Sequence, residues 1–327
     1  MTAPRLAPEG LDLLRSAGAR AIFLSDAEDV AEVEAIMSRE PVDAVISRTV
    51  ELSARAINAC PTLKVISKHG VGVGNIDVHA ATARAIPVYT TPGANAASVA
   101  ELTIALMLAA TRKVGWMDRE LRAGRWSRAQ DGLELRGLNL GLVGFGQVGR
   151  RVARIATALE MSVHVFDPAA QRESERFEGV VFHSSLDSMI PISHVLSLHV
   201  PLNQATRNLI DRQRIRLLPS GAVVVNTARG EVLDEVALIE ALKDGQLHAA
   251  GLDTMVSEPL PAGHELSSLG NVVLTPHVGG STSAALSAMA LGAVRNVLGW
   301  LDGAPPPSES CVNPSVLSLI SPQASIG

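Results

Sequence analysis

The chain has 327 residues, enough for two domains with substantial cores. Its 47% hydrophobic and 3% aromatic content points to interiors of Ala, Val, Leu and Ile, as in parallel sheets flanked by helices. A net charge of −5 gives no basic footprint for nucleic acid or an anionic membrane, and the two cysteines, Cys60 and Cys311, lack metal or redox spacing and imply a reducing compartment.

No N-terminal apolar core of signal-peptide length is present, and the apolar run from Leu102 to Ala110 is too short to span a membrane. A cytoplasmic protein without a metal is the expectation. Residues 1–98 read as alternating helices and short strands. Strands are expected at Arg20–Leu24, Asp43–Ser47, Leu63–Ser67 and Pro87–Thr90, and helices at Pro8–Ala17, Ala27–Met37 and Glu51–Ala59. That alternation predicts a parallel sheet with crossover helices. Such a fold opens with a strand, yet Met1–Arg5 has few apolar residues. Either the first strand is very short or the natural start codon lies upstream; the second is kept as a hypothesis.

Thr90-Thr91-Pro92-Gly93-Ala94-Asn95 is a cluster of breakers. A long apolar helix, Ala97–Val114, follows and is expected to cross into a second domain. Residues Trp116–Arg136 are more polar and are expected to wrap the surface. Then comes the stretch that organises the chain, Leu140-Gly141-Leu142-Val143-Gly144-Phe145-Gly146-Gln147-Val148-Gly149. An apolar strand runs into a glycine turn and a helical pattern. Gly144 allows the tight turn, Gly146 lets the backbone approach a pyrophosphate, and Gly149 lets helix and strand pack closely. The next strand, Ser162–Phe166, ends at Asp167, the distance at which an acidic residue takes the adenosine ribose hydroxyls. This pattern predicts a dinucleotide site and favours NAD over NADP, with Arg172 close enough to leave the choice open.

Further strands are expected at Val180–Phe182, Val195–His199, Ala222–Asn226, Ala249–Leu252 and Val272–Leu274, with a helix at Glu235–Leu242. A last helix, Ser281–Leu301, returns toward the first domain and leads to the tail Val312–Ile320. The fold class is therefore α/β with two Rossmann-like parallel-sheet domains. Residues 1–98 and 284–327 form a discontinuous, flavodoxin-like substrate domain, and 99–283 the dinucleotide-binding one. Two crossing helices would let the domains close as a hinge over a cleft.

Ligands of open parallel sheets lie beyond the carboxyl ends of the strands. Three polar residues stand there. Arg229 follows an apolar strand and could grip a carboxylate bidentately, or be a surface arginine. Glu258 sits in a loop, where by itself it reads first as a solvated carboxylate. His277, between Pro276 and Gly279-Gly280, can exchange a proton near neutral pH. His69, just before Gly70-Val71-Gly72-Val73-Gly74, is a weaker candidate.

Together these stretches resemble the D-isomer-specific 2-hydroxyacid dehydrogenases, in particular the phosphoglycerate dehydrogenase and hydroxypyruvate reductase branches. The resemblance rests on Gly70-Val71-Gly72, Thr91-Pro92-Gly93 with Asn95 and Ser98-Val99-Ala100-Glu101, and the glycine turn with Asp167. It also includes Leu198-His199-Val200-Pro201-Leu202, Asn226-Thr227-Ala228-Arg229-Gly230, Glu258-Pro259, and Thr275-Pro276-His277 with Gly279-Gly280. It implies an NAD-dependent oxidoreductase acting between nicotinamide and C2 of a small D-2-hydroxy or 2-oxo acid, of the 3-phosphoglycerate or hydroxypyruvate/glyoxylate type, and a homodimer. It assigns Arg229 to the substrate carboxylate, His277 to general acid/base work and Glu258 to holding His277. It places Gly144, Gly146, Gln147, Val148, Gly149, Asp167, Val200, Thr227, Ala228, Arg229, Asp253, His277, Gly279 and Gly280 around the cofactor, with Asp253 near the nicotinamide. Val71, Gly72 and Asn95 join Arg229 and His277 on the substrate, and Val71 reaches the cofactor too. Lys68 stands where a basic residue would meet a distal phosphate or carboxylate; the alternative is a solvated lysine capping a strand.

The chain departs from the resemblance at Gly74, where an acidic residue is common, and at Thr254-Met255, where Val-Phe is common. The alternative function is an NAD(H)-sensing corepressor-like binding protein with the same fold. A formate dehydrogenase-like reading is opposed by Glu258, because that branch carries a glutamine there.

Overall fold

The computed structural model describes residues 1–26, 29–128, 132–171 and 177–320. It divides into two compact units, Met1–Asn95 with Thr282–Gly327, and Ala96–Ser281. The divisions fall at 95/96 and 281/282, where the sequence suggested 98/99 and 283/284.

The first unit is built on β1 (Ala44–Ser47), β2 (Val65–Lys68) and β3 (Val88–Tyr89), parallel and in that order. The sheet is extended by single contacts. Thr2 N donates to Ile46 O (3.1 Å) and Leu24 N to Ala3 O (3.3 Å). At the opposite edge, Tyr89 bridges Cys311 in antiparallel sense. The segments at Leu24 and Thr2, then β1, β2 and β3, thus follow the 2-1-3-4-5 order of a flavodoxin-like sheet. The strand expected at Arg20–Leu24 is not formed. Its neighbour, Met1–Ala3, is too short to present a ladder, so apolar residues there remain in extended coil. The helix expected from Ala27 starts at Val30, capped by the Asp29 side chain on Glu32 N; Ala27 itself lies outside the described residues.

The helix Ser283–Leu301 closes this unit and packs on β1, β2 and the helix Pro8–Ser16. It is 19 residues long and, by length and composition alone, apolar enough to cross a membrane. Arg295 interrupts the stretch, so it contains no uncharged apolar run of that length. Within the unit its Asn296 Nδ2 donates to Ser67 Oγ (3.2 Å) and Thr90 O (2.9 Å), which ties a polar side chain into the sheet's carboxyl end.

The second unit holds a seven-stranded, wholly parallel sheet. Its strands are β4 (Asn139–Val143), β5 (Ser162–Phe166), β6 (Val180–Phe182), β7 (Val195–Leu198), β8 (Ala222–Asn226), β9 (Leu247–Leu252) and β10 (Val272–Leu274). The order is β10-β9-β8-β7-β4-β5-β6. Counted from β4, this is the doubly wound 3-2-1-4-5-6 order with one added strand, and the order reverses between β4 and β7. Both faces are covered. Leu140, Leu142, Val163, Val165, Val223 and Val225 pack against the helices Ala96–Thr111 and Gln147–Ala158. Leu196, Leu198, Val224 and Leu252 face the layer that carries Met189, Ile215 and Leu238. Alternating β-branched residues buried on both sides are what a parallel sheet demands. The helix expected to cross between domains, Ala97–Val114, is Ala96–Thr111 and packs on β8, β9 and Gln147–Ala158. It stops because Lys113 takes φ 52°, and a second helix, Val114–Arg122, starts there.

Candidate active site

The glycine turn follows β4. Gly144 has φ +97°, and a Cβ there would lie 2.5 Å from His199 O and 2.9 Å from Val200 Cγ1. A Cβ on Gly149 would collide with Gly144 O. Both positions therefore need glycine for close approach, and Val200 is placed beside the turn. A Cβ on Gly146 would meet nothing within 4 Å. The helix beginning at Gln147 has no side-chain cap, so its first N–H groups and the positive end of its dipole face open space, with Gln147 exposed and Val148 half-buried. Asp167 ends β5. Its Oδ2 accepts from Phe145 N (2.7 Å) and its Oδ1 from Ala169 N (2.9 Å) and Ala170 N (3.0 Å). The carboxylate is thereby fixed at the glycine turn with lone pairs left for ribose hydroxyls. An open backbone cradle at an uncapped helix end, next to a fixed carboxylate, fits a dinucleotide. Arg172 lies outside the described residues.

Beyond β8, Asn226 shapes the next loop. Its Nδ2 donates to Arg229 O (2.8 Å) and its Oδ1 accepts from Ala228 N (3.0 Å). Thr227 is buried, with its hydroxyl 2.8 Å from that of Thr103. The Arg229 guanidinium donates to Ala228 O (2.6 Å). Asn226 was visible in the sequence only as part of a motif; a polar residue closing an otherwise apolar strand is the signal that singles it out.

His277 and Glu258 meet although 19 residues separate them. His277 Nδ1 lies 2.7 Å from Glu258 Oε2, and the other oxygen accepts from Met255 N (3.1 Å). Burial pushes the Glu258 carboxyl up. The hydrogen bond and charge of His277, the Met255 N–H and the Arg229 guanidinium outweigh it and hold the group below the usual range. With Nδ1 donating to a carboxylate, the neutral ring presents a bare Nε2 as a proton acceptor. The His277 side chain is 42% exposed. Its backbone sits at φ +53°, a left-handed conformation that costs a non-glycine residue about 1–3 kcal/mol and persists only where its surroundings dictate it. Those surroundings are set by Asp253. Its carboxylate takes the Thr275 hydroxyl (2.6 Å) and the N–H groups of Val278 and Gly279 (2.8 Å each). Gly279 is buried and Gly280 half-buried. Met255, at one of the departures from the resemblance, is a buried member of the hydrophobic layer beneath this loop.

The remaining expected residues belong to the first unit. Val71 is 49% exposed, Gly72 and Asn95 half-buried. The loop after β2 is pinned at Gly70, whose N donates to Thr91 Oγ1 (3.0 Å) while its carbonyl accepts from Thr91 N (2.9 Å). Lys68 is not a solvated lysine. It is 8% exposed, and its ammonium donates to Arg48 O and Asn75 Oδ1. Those contacts within its own unit cross-link the loops after β1 and β2. His69 is buried too; desolvation and then the charge of Arg48 drive it down to about 4, against backbone hydrogen bonds that raise it and with a last, smaller push from Lys68.

The family model for the NAD binding domain of D-isomer specific 2-hydroxyacid dehydrogenases matches residues 104–279. A D-3-phosphoglycerate dehydrogenase of Archaeoglobus fulgidus is 37% identical over 93% of this chain; the match spans only 58% of that longer protein. A hydroxypyruvate reductase of Thermotoga maritima is 43% identical over 75% of this chain and 80% of its own length. Among solved structures, the TT0316 protein of Thermus thermophilus superposes with a TM-score of 0.82 at 36% identity, covering 95% of this chain and 98% of that one.

Proposed function

The chain belongs to the D-isomer specific 2-hydroxyacid dehydrogenase family, and on that premise we propose that it interconverts a small D-2-hydroxy acid and its 2-oxo acid with NAD(H). The observation that carries the reading is the His277–Glu258 pair at 2.7 Å, held in a loop beyond the carboxyl ends of β9 and β10. NAD, when bound, supplies or accepts the hydride at C2. Gly144, Gly146, Gln147, Val148, Gly149 and Asp167 would hold it, with Val200, Thr227, Ala228 and the 277–280 loop along its length. In reduction, the protonated His277 gives its Nε2 proton to the substrate oxygen as charge builds there. Arg229 leaves its own Ala228 carbonyl to bind the substrate carboxylate and stabilise that charge. Glu258 holds Nδ1 and favours the imidazolium through its charge. In oxidation, neutral His277 takes the hydroxyl proton.

Substrate size follows from scarce aromatic residues and from Lys68, whose engaged ammonium favours an unphosphorylated acid such as hydroxypyruvate or glyoxylate over 3-phosphohydroxypyruvate. The exposed Val114 (53%), Leu121 (55%) and Trp126 (76%) lie along one stretch of the second unit and support a homodimer through it. Cys60 and Cys311 are buried free thiols, consistent with the cytoplasm. The test is NADH oxidation with hydroxypyruvate, glyoxylate, pyruvate and 3-phosphohydroxypyruvate, for the wild-type protein and His277→Ala. Turnover with at least one acid, cut roughly 10²-fold or more by the substitution, is expected. Near-normal turnover of His277→Ala removes His277 from this role.

A further inference from the structure

The loop that carries Glu258 has little burial of its own. Met255 and Leu266 are buried at its ends, and from Val256 to Gly263 every residue is exposed except the half-buried Leu260. Point contacts, more than packing, position such a stretch. Glu235 supplies two of them. It stands in the first turn of the helix Glu235–Lys243, whose Ala237, Leu238 and Ile239 are buried and whose N-cap is the Asp234 side chain. Glu235 Oε2 accepts from Val256 N (3.1 Å), and His264 Nε2 lies 3.4 Å from Oε1. His264 Nδ1 accepts from Leu266 N (3.3 Å), so the neutral ring carries its proton on Nε2, toward the carboxylate. Both side chains are largely covered, with Glu235 14% exposed and His264 22%. One carboxylate thus ties both ends of an exposed loop to a packed helix. A Cβ on Gly230 would lie 2.0 Å from Met255 C, so the start of the loop also runs directly against the residue after Arg229.

We propose that Glu235, together with His264, is a positioning residue for Glu258: it fixes the 256–264 loop so that the Glu258 carboxylate meets His277 Nδ1. The inference rests on the proposed acid/base role of His277. Glu258 reaches His277 with one oxygen (2.7 Å) and returns with the other to Met255 N in its own loop (3.1 Å). Glu235 links that local turn to the packed body of the unit. A misplacement of about 1 Å near the reacting atoms costs on the order of 10²-fold in rate; Glu235 acts one step further out, through Glu258. When the loop drifts, the imidazolium loses the carboxylate that favours it. Reduction needs the protonated ring, so the decline of kcat at high pH then begins at a lower pH. The other charged groups about the pair are Arg229, whose charge reaches Glu258, and Asp253, whose carbonyl takes the His277 N–H. Substitution of Glu235 leaves both in place.

The experiment compares wild type, Glu235→Ala, Glu235→Gln, Glu258→Ala, the double variant Glu235→Ala/Glu258→Ala, and His277→Ala. It measures kcat and KM for hydroxypyruvate reduction, the pH dependence of kcat, and the Kd of NADH by fluorescence titration. Glu235→Ala is expected to lower kcat by roughly tenfold and to move its high-pH decline to lower pH, with the NADH Kd within about twofold of wild type. Glu235→Gln, which keeps an acceptor for Val256 N–H, holds kcat within about threefold of wild type. In the Glu258→Ala background the same Glu235→Ala change costs less than about twofold, because the residue it positions is gone. If Glu235→Ala fails to fold, His264→Ala frees the far end of the loop and is held to the same expectations. Wild-type kcat in Glu235→Ala beside a slow Glu258→Ala overturns the positioning role alone. So does a slow Glu235→Ala whose pH profile is unmoved, an equal loss in both backgrounds, or a loss of NADH affinity that matches the loss of kcat. A fully active His277→Ala overturns the parent reading and the positioning role with it.

Discussion

Two glycines of one turn should respond oppositely to the same added methyl. At Gly144 an alanine must adopt φ +97°, which costs about 1–2 kcal/mol for an L-residue in left-handed backbone. Its Cβ would also stand 2.5 Å from His199 O and 2.8 Å from His199 C. These are backbone atoms of the adjoining β7 end and cannot rotate away, so overpacking adds about 1–3 kcal/mol. The sum, about 2–5 kcal/mol, corresponds to a fall in Tm of roughly 4–20 °C for a domain of this size. At Gly146 the backbone is ordinary, with φ −77°, and the new Cβ meets nothing. Gly146→Ala should keep its Tm within roughly 2 °C, because no native contact is disturbed. It should weaken NADH by about tenfold or more, since the methyl enters the space a pyrophosphate would take. Scanning calorimetry and an NADH titration on both variants decide it. A Gly146→Ala protein that binds NADH as well as wild type would refute the assignment of this cradle to the dinucleotide.

Glu258→Gln keeps a hydrogen-bond acceptor for His277 Nδ1 but removes the charge; turnover should fall by about tenfold or more with NADH affinity unchanged, and equal turnover would show that the carboxylate only orients the ring. Stability should fall as pH drops from 6.5 towards 4. His69 and His199 are both held near 4 in the folded chain by desolvation, against 6.5 for the free group, so across that window the unfolded chain binds more protons and stability rises with pH. Thermal unfolding followed from neutral pH downward checks this, with His199→Gln expected to flatten the slope; a Tm that stays level through the window contradicts it.

Much of the second unit was legible. β5, β6, β8 and β10 lie where apolar, β-branched runs end in turn residues, because a strand buried on both faces writes itself as such a run. The first unit was less legible. Ala21–Leu24 has a strand's composition, but a strand also needs a neighbour, and Met1–Ala3 supplies only single hydrogen bonds. At the site, the glycine turn and Asp167 could be read from spacing, since turn, cradle and carboxylate are local. The Glu258–His277 contact spans two loops and no local pattern encodes it; the resemblance alone suggested it. Lys68 shows the same limit from the other side. Its burial depends on Arg48 and Asn75 folding over it, which no spacing announces. The resemblance placed Asp253 near the nicotinamide, and only the fold shows three donors converging on its carboxylate.

Hydride transfer to C2 is the step on which every assigned role depends. The measurement that meets it directly is reaction of the protein with hydroxypyruvate and NADH deuterated at nicotinamide C4, with the product examined by NMR and by chiral chromatography. Deuterium is expected at C2 of D-glycerate, and none with His277→Ala in the same time. NADH binding without deuterium in the acid, or label in the L-enantiomer, would contradict it.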